Sequence, residues 1–317
     1  MIRIILDTDL AMGAPGSDID DGFALALAHA DPDIQIDLVT TVNGNTDVET
    51  ATLLGLELAE RLGATSIPIV KGASAPLLRP DRARKAPAEI QARYGHRSPQ
   101  PGHAAEKIVE LVMANPGEIT VVAIGPLTNI AVALSLEPGF AAAVKEIVIM
   151  GGIFLGQTNK AEMPGEFNVW MDPEAASAVL HSGAPLRWVG LDVTMRVRLT
   201  REDAEAMSAG SGSFARFAGE YTTAWIDFLA AANPGDTSQA DSCAMHDPLA
   251  VAVLTRPDLV TWRDAHVDIV TGDGIARGVM IADLLTSNRP PTANCRIAVD
   301  VDADGFRTHF LGTISRL

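Results

Sequence analysis

Four aspartates near the start of the sequence have the types and spacing that chemistry would need. Asp7 and Asp9 end one short apolar run, and Asp20 and Asp21 open the next; the span between them is mostly small residues (LAMGAPGS, then Asp18). Asp9 and Asp21, if close together, would repel each other unless a cation lay between them. Oxygen-only ligands favour a hard ion, Ca²⁺ or Mg²⁺.

Each of these acidic residues also has a structural interpretation. Asp20 and Asp21 would suit the first turn of a helix, and Asp247, just before PLAVAVL, would suit a helix cap. For Asp7 we favour a structural role, accepting backbone N–H bonds from the loop. An EF-hand is excluded, because the twelfth position counted from Asp9 is Asp20 rather than a bidentate Glu. No Cys/His cluster has zinc spacing.

The elements that must position these residues alternate along the chain. Apolar patterns predict strands at 2–6, 34–42, 67–70, 119–124, 146–150 and 186–190. Helices are predicted at 20–30, 46–62, 103–114, from PLTNIAVAL and from Pro173, with irregular stretches at 72–101 and 151–170. The chain turns helical after about residue 200, and the runs DLVTW, AHVDIV and CRIAVDV within 259–301 predict an antiparallel edge.

This alternation predicts an α/β fold, a mostly parallel twisted sheet flanked by helices with a Rossmann-like core and a helical, partly antiparallel C-terminal part. We expect one domain over residues 1–317. Ligands of such sheets bind at the carboxyl ends of the strands. Polar or glycine residues follow several predicted strands there: Asp7, Asp9, Asn43, Asn45, Gly125, Gly151 and Asp192. We therefore expect the acidic cluster to face a pocket.

The composition of the chain limits the classes of partner that it could bind. The formal net charge of −16 would repel phosphate backbones and anionic membranes, so we expect neither nucleic acid nor a membrane as a partner. Only two cysteines, Cys243 and Cys295, occur in 317 residues, which favours a reducing cytoplasm. We expect no signal peptide and no membrane span. Asp31, Asp33, Asp37 and Asp47 are interpreted as solvated charges.

Five segments in order carry a resemblance to a known family: DTD…DIDDGFAL, TTVNGN, GPLTNIA, MGG…EFN and HDPLAVA. Together they resemble the nucleoside N-ribohydrolases, the inosine–uridine-preferring nucleoside hydrolase family, from residue 5 to about 254. The resemblance implies a nucleoside hydrolase-like fold and Ca²⁺-dependent hydrolysis of the N-glycosidic bond of ribonucleosides to ribose and free base. It also implies a homo-oligomer, either a dimer or a tetramer.

The resemblance assigns roles position by position. Asp9 would be both a calcium ligand and the general base, with Asp21, the main-chain carbonyl of Ile124 and Asp247 as further ligands. His246 would lie near the leaving base and donate a proton or hydrogen bond to it. The ribose hydroxyls and the 5′-OH would be held by Asp20, Asn45, Asn159, Glu166 and Asn168.

The chain departs from the family between Asp9 and Asp20, where the usual spacing is shorter. We call residues 10–19 the insertion. It either loops out or roofs the pocket, with Met12 as a residue that could reach the ligand. Candidates for the base side, which the sequence does not fix, are His96, Trp170, Tyr221 and Trp225, although ordinary helix packing is favoured for Trp225.

Two other functions stay open from the sequence. LDTDL after a buried strand is similar to the nucleophile loop of haloacid-dehalogenase-like phosphatases, but that hypothesis leaves GPLTNIA and EFN unexplained. A non-catalytic ribose- or calcium-binding protein on the same fold would bind without turnover. Asp9 argues against it, because a carboxylate at the base position has little other need to exist.

Overall fold

The structure, a computed structural model, describes residues 1–14, 16–156, 162–237, 240–285 and 291–317. The strands in these ranges are β1 Ile2–Thr8, β2 Ile34–Thr41, β3 Ile69–Lys71, β4 Ile119–Ala123, β5 Glu146–Met150, β6 Leu186–Val189, β7 Arg198–Thr200, β8 Ser242–Ala244, β9 Val260–Ile269, β10 Met280–Asp283 and β11 Cys295–Val301.

The helices follow the same alternation. They are α1 Asp20–Ala30, α2 Val48–Arg61, α3 Ala88–Tyr94, α4 Ala104–Ala114, α5 Thr128–Leu136, α6 Phe140–Ala143, α7 Phe167–Met171, α8 Pro173–Leu180, α9 Leu191–Thr194, α10 Arg201–Ser208, α11 Ser213–Ala232, α12 His246–Thr255 and α13 Ala303–Ile314. No helix in the described ranges is long and apolar enough to cross a membrane.

Nine strands form one sheet in the order β10-β9-β11-β6-β5-β4-β1-β2-β3. The strands from β11 to β3 pair in parallel, and β9 pairs antiparallel with both β11 and β10. A separate antiparallel pair, β7 and β8, lies outside this sheet. The predicted α/β fold with a mostly parallel sheet and an antiparallel C-terminal edge is confirmed.

Helices cover both faces of the sheet, and the alternation of side chains along the central strand shows how. Ile4 and Leu6 of β1 join one apolar cluster, whereas Ile5 joins the other. All three are fully buried, as the period of two requires for a strand covered on both sides. α1 packs against α12 on one face, and α4 packs against α5 on the other.

Strand ends and helix starts then fix where the polar residues lie. β1 delivers Asp9 one residue beyond its last residue, and α1 begins at Asp20. α1 is buried on nearly every side, which is typical of a helix inside a layered core. The carboxylates at its first turn are therefore held inside the protein rather than in solvent.

Residues 10–14 of the insertion neither loop out nor roof the pocket, because all five are buried and none lines the cavity described below; Asp18, near the other end of the insertion, does line it. Met12 is buried, and it lies where a Cβ on Gly22 would contact it. It therefore packs in the core and does not reach the cavity. Gly13 has a φ of 113°, and a Cβ there would lie 3.0 Å from Leu54 Cδ2 and 3.3 Å from Phe217 Cζ. Small residues let this segment fill the gap between α2 and α11.

Three local predictions also need correction. The irregular stretch 72–101 contains α3, and the predicted loop 151–170 ends in α7. The runs DLVTW and AHVDIV are not separate strands, because β9 continues through both. Arg263 and Asp264 interrupt the apolar pattern in the middle of this strand and so look like a turn in the sequence.

Candidate active site

A cavity of about 740 Å³ opens at the carboxyl ends of the parallel strands. The segments after β1, β2, β4 and β5 meet there, as the sheet topology requires. Seven residues that the resemblance placed in the site line it: Asp20, Asn45, Ile124, Glu166, Asn168, His246 and Asp247. Asn159 lies outside the described residues.

Three buried aspartates form a carboxylate cluster, which we define as Asp20, Asp21 and Asp247. One carboxylate oxygen from each lies within 4.8 Å of the others, a spacing that could hold a metal ion. Asp20 and Asp21 come from the first turn of α1, and Asp247 from the first turn of α12. The backbone N–H of Asp247 donates to Asp20 Oδ2 at 3.0 Å, which ties the two helix starts together.

Asp9 is joined to this cluster through Asn45, although it lies outside the closest group of three. The Asn45 backbone N–H donates to Asp9 Oδ2 at 2.6 Å, and its side-chain Nδ2 donates to Asp21 Oδ2 at 3.0 Å. Thr8 Oγ1 donates to Asp21 Oδ1. One loop residue after β2 therefore fixes the carboxylates that follow β1 and begin α1.

Two glycines let the backbone approach Asp9. A Cβ on Gly44 would lie 2.7 Å from Asp9 Cγ, and one on Gly125 would lie 2.9 Å from Asp9 Oδ1. Asp9 Oδ1 is nevertheless buried without a hydrogen-bond partner among the described residues. A buried carboxylate oxygen in that condition is costly, so its chemistry suits a bound cation.

Burial and mutual repulsion govern the electrostatics of these groups. Burial raises the pKa of Asp9 to about 7, and the charges of Asp20 and Glu166 act in the same direction. Burial likewise raises the pKa values of Asp21 and Asp247 well above their usual range, and neighbouring carboxylates add to both shifts. A cation at this point would offset the repulsion.

Glu166 and Asn168 occupy the end of the cavity formed by β4, β5 and α7. Glu166 caps α7 by accepting from Asn168 N at 2.7 Å, and burial raises its pKa to about 7. Asn168 Nδ2 donates to the Ile124 carbonyl at 2.9 Å. A carbonyl oxygen has a second lone pair, so this contact leaves Ile124 able to ligate a metal.

His246 lies on the cavity wall next to Asp247, at the start of α12. Its Nδ1 lies 2.7 Å from the Thr194 hydroxyl, a hydrogen bond that fixes the plane of the ring. Burial lowers the pKa of His246; the Asp20 charge opposes the shift and the Arg198 charge reinforces it. Thr194 was missed from the sequence because α9 and α12 are brought together only by the fold.

The far side of the cavity is formed by side chains from α9, β7 and α11. We call it the distal wall, and it consists of Leu191, Met195, Arg198, Trp225 and Leu229. Trp225 does line the cavity and also stacks on Phe228, so the packing interpretation describes only part of its role.

Two of the base-side candidates are not where the sequence placed them. His96 and Tyr221 do not line the cavity, and Tyr221 packs on Phe217 instead. Trp170 does line the cavity, with Arg82 over its ring at 4.0 Å. The direction of a helical side chain depends on what the helix packs against, which residue spacing alone does not supply.

Asp7 has the structural role that we favour, but its partners are side chains rather than loop N–H groups. It accepts from Thr40 Oγ1 at 2.5 Å and from Asn129 Nδ2 at 2.8 Å. Asp18, at the end of the insertion, lines the cavity and was given no role from the sequence. Its place in an acidic run beside Asp20 was the available signal.

The chain is similar to known proteins along nearly its whole length. A family model described as inosine-uridine preferring nucleoside hydrolase matches residues 4–308. The chain is 32% identical over 328 residues to the inosine-uridine preferring nucleoside hydrolase of Crithidia fasciculata, covering 99% of this chain and 98% of that protein. It is 34% identical over 312 residues to the non-specific ribonucleoside hydrolase RihC of Klebsiella pneumoniae, covering 96% of each.

Among solved structures, the chain is similar to a purine-preferring ribonucleoside hydrolase from Gardnerella vaginalis. The TM-score is 0.84 at 27% identity, and the match covers 99% of this chain and 98% of that one. The similarity therefore extends over the sheet, the helices and the strand ends where the cavity lies.

Proposed function

Because this chain belongs to the inosine-uridine preferring nucleoside hydrolase family, we propose that it hydrolyses the N-glycosidic bond of ribonucleosides in a Ca²⁺-dependent reaction. It is a hydrolase acting on N-glycosyl compounds, like the nucleosidases and ribonucleoside hydrolases to which it is similar. The observation that carries the calcium dependence is the carboxylate cluster beside Asp9, whose Oδ1 has no partner in the described part of the chain.

The donors fit a hard cation. They are carboxylate and carbonyl oxygens, the ligands that Ca²⁺ prefers. Asp9, Asp21, Asp247 and the carbonyl of Ile124 would hold the ion. Asp20 already accepts the Asp247 N–H through Oδ2, which supports keeping it as a ribose-binding residue at the edge of the cluster.

Different residues of the chain would then carry out different steps of the reaction. When bound, the ion would lower the pKa of a water molecule and hold the vicinal hydroxyls of ribose. Asp9 takes a proton from the attacking water, while Glu166 and Asn168 hold the 5′-OH end of the sugar. Buried carboxylates stabilise the positive charge that develops on the ring. His246, on the cavity wall, would donate a hydrogen bond to the departing base.

The test is ribose release from a panel of ribonucleosides and matching 2′-deoxynucleosides, with Ca²⁺ present and after its removal by EGTA. We expect release from ribonucleosides, little release from deoxy forms, and loss with EGTA that Ca²⁺ reverses. Asp9→Asn should remove most activity, since a general base contributes about 100- to 10,000-fold. Asp7→Asn is the matched control. Asp7 and Asp9 are equally buried and neither lines the cavity, but Asp7 Oδ1 already accepts from Thr40 and Asn129, whereas Asp9 Oδ1 has no partner in the described part of the chain.

Other outcomes identify the alternatives. Calcium binding without release from any riboside would favour a binding protein on this fold. Phosphate release from 4-nitrophenyl phosphate with Mg²⁺, again without ribose release, would favour the phosphatase. Equal activity of Asp9→Asn and Asp7→Asn would contradict the assignment of the general base.

A further inference from the structure

The distal wall places an arginine in the cavity, on elements that do not carry the carboxylate cluster. Arg198 lies on β7 directly opposite Ala244 of β8, two residues before His246. It lines the same cavity as His246 and Trp225. Its charge also acts on the imidazole of His246. Because the carboxylates occupy the ribose end, Arg198 belongs to the end where the base would lie.

Arg198 is held in a fixed orientation. Its Nε donates to Ser242 Oγ at 2.8 Å, its Nη2 to Ser242 O at 2.9 Å, and its Nη1 to Met195 O at 3.4 Å. Burial lowers its pKa, but arginine stays protonated at neutral pH, and the Asp236 charge supports that form. The wall therefore presents a permanent, oriented cation to the cavity.

Apolar neighbours strengthen this charge. Leu191, Leu229 and Trp225 line the cavity together with Arg198, and apolar walls reduce the water available to screen a charge; Asp236, which also lines the cavity, offsets part of that charge. A flat aromatic base would contact Trp225, and the guanidinium would meet an acceptor at its edge. The arrangement suits a planar leaving group that gains negative charge.

We propose that Arg198 contacts the departing base and stabilises its negative charge, making it a residue that determines which leaving groups are cleaved. This inference rests on the proposed function. When the C1′–N bond breaks, its electron pair stays with the base and spreads onto a ring carbonyl, where Arg198 donates. Water forms the new C1′–O bond, Asp9 takes the water proton, and the base anion later takes a proton from solvent. The products are ribose and neutral base.

The experiment compares two ribosides whose leaving groups differ in their need for stabilisation. Uridine has a poor leaving group, whereas 4-nitrophenyl ribofuranoside releases a stable phenolate unaided. For Arg198→Gln we expect kcat/KM for uridine to fall about 10- to 100-fold, the range of a charge-assisted hydrogen bond. The nitrophenyl riboside should change by less than about threefold, because its leaving group needs little help.

Two further variants control the comparison. Arg198→Lys keeps the positive charge but loses the planar guanidinium group, whose Nε and Nη2 both donate to Ser242. It should therefore be more active on uridine than Arg198→Gln but less active than the unchanged protein. Arg196→Gln is the matched control, since Arg196 is exposed and pairs with Asp300 at 2.6 Å away from the cavity. This control variant should leave kcat/KM unchanged for both substrates. Thermal unfolding of each variant checks that the β7–β8 pair is intact.

The outcomes separate this inference from the proposed function. Cleavage of the nitrophenyl riboside by the unchanged protein establishes hydrolysis independently of Arg198. If Arg198→Gln then lowers kcat/KM for both substrates equally, or for neither, the inference is overturned while the proposed function stands. If the unchanged protein cleaves no riboside, the proposed function fails and the inference fails with it.

Discussion

Adding one methyl group at Gly44 should displace the proposed general base without touching it chemically. The backbone of Gly44 lies outside the left-handed region, so alanine is conformationally allowed there. Its Cβ, however, would lie 2.7 Å from Asp9 Cγ and 2.8 Å from Asp9 Cβ, where ordinary contact begins at 3.4 Å. The carboxylate or the loop must therefore move by about 0.7 Å or more.

A displacement of this size is large for a reacting group. Misplacement by about 1 Å costs roughly 100-fold in rate, so Gly44→Ala should lower kcat/KM for the best ribonucleoside by about that factor. Calcium affinity should weaken as well, because the Asn45 N–H bond that orients Asp9 is disturbed. The assays are steady-state ribose release and a calcium titration of the intact protein.

Two variants make the result interpretable. Gly55→Ala is the control, since its Cβ would meet Ile69 at an ordinary 3.8 Å inside α2; we expect full activity and a gain of about 0.5–1 kcal/mol in stability. A Cβ on Gly125, which follows β4, would also crowd Asp9, so Gly125→Ala should show the same loss of kcat/KM. Native-like near-UV circular dichroism with unchanged kcat/KM in Gly44→Ala would refute the reasoning.

Three further predictions use other parts of the structure. Thr194→Val removes the hydrogen bond to His246 and should lower kcat/KM for uridine about tenfold, but the nitrophenyl riboside by much less; equal losses would contradict an orienting role. Burial lowers the pKa of His309, so the unfolded state binds more protons than the folded state below about pH 6.5, and the free energy of unfolding falls as the pH is lowered. The His309→Gln variant should therefore lose less of its free energy of unfolding between about pH 7 and pH 5, as measured by urea unfolding. Met12→Ala should cost about 2–5 kcal/mol in the same assay, and a loss below about 1 kcal/mol would place Met12 outside the core.

The sequence predicts the parts of this protein that depend on neighbours in the chain. Periodicity located the parallel strands and α1 because each is set by a local apolar pattern. The strand-end rule then placed Asn45 at the edge of the sheet where ligands bind, and the family resemblance added Asp247; both line the cavity. The individual roles assigned to these residues stay predictions.

Features set by distant partners were not predictable. Asp31 was interpreted as a solvated charge, yet it is buried and accepts from Thr255 Oγ1 at 2.8 Å, a residue 224 positions away. The burial of Gly13 depends on Leu54 and Phe217, which no local pattern connects to the insertion. Arg198 reaches the cavity only because β7 pairs with β8, and a three-residue strand carries too little pattern to reveal this.

The bond between Asp247 N and Asp20 Oδ2 spans 227 residues of sequence, and it has a consequence for biosynthesis. While residue 247 is still inside the ribosome, α1 has been synthesised but α12 cannot yet fold against it. The face of α1 that packs on α12 in the finished protein then has no partner. Asp20 and Asp21 must then stay hydrated, since burying them unpartnered is costly. Capture of the proposed ion and closure of this core face should therefore be late, coincident events during synthesis.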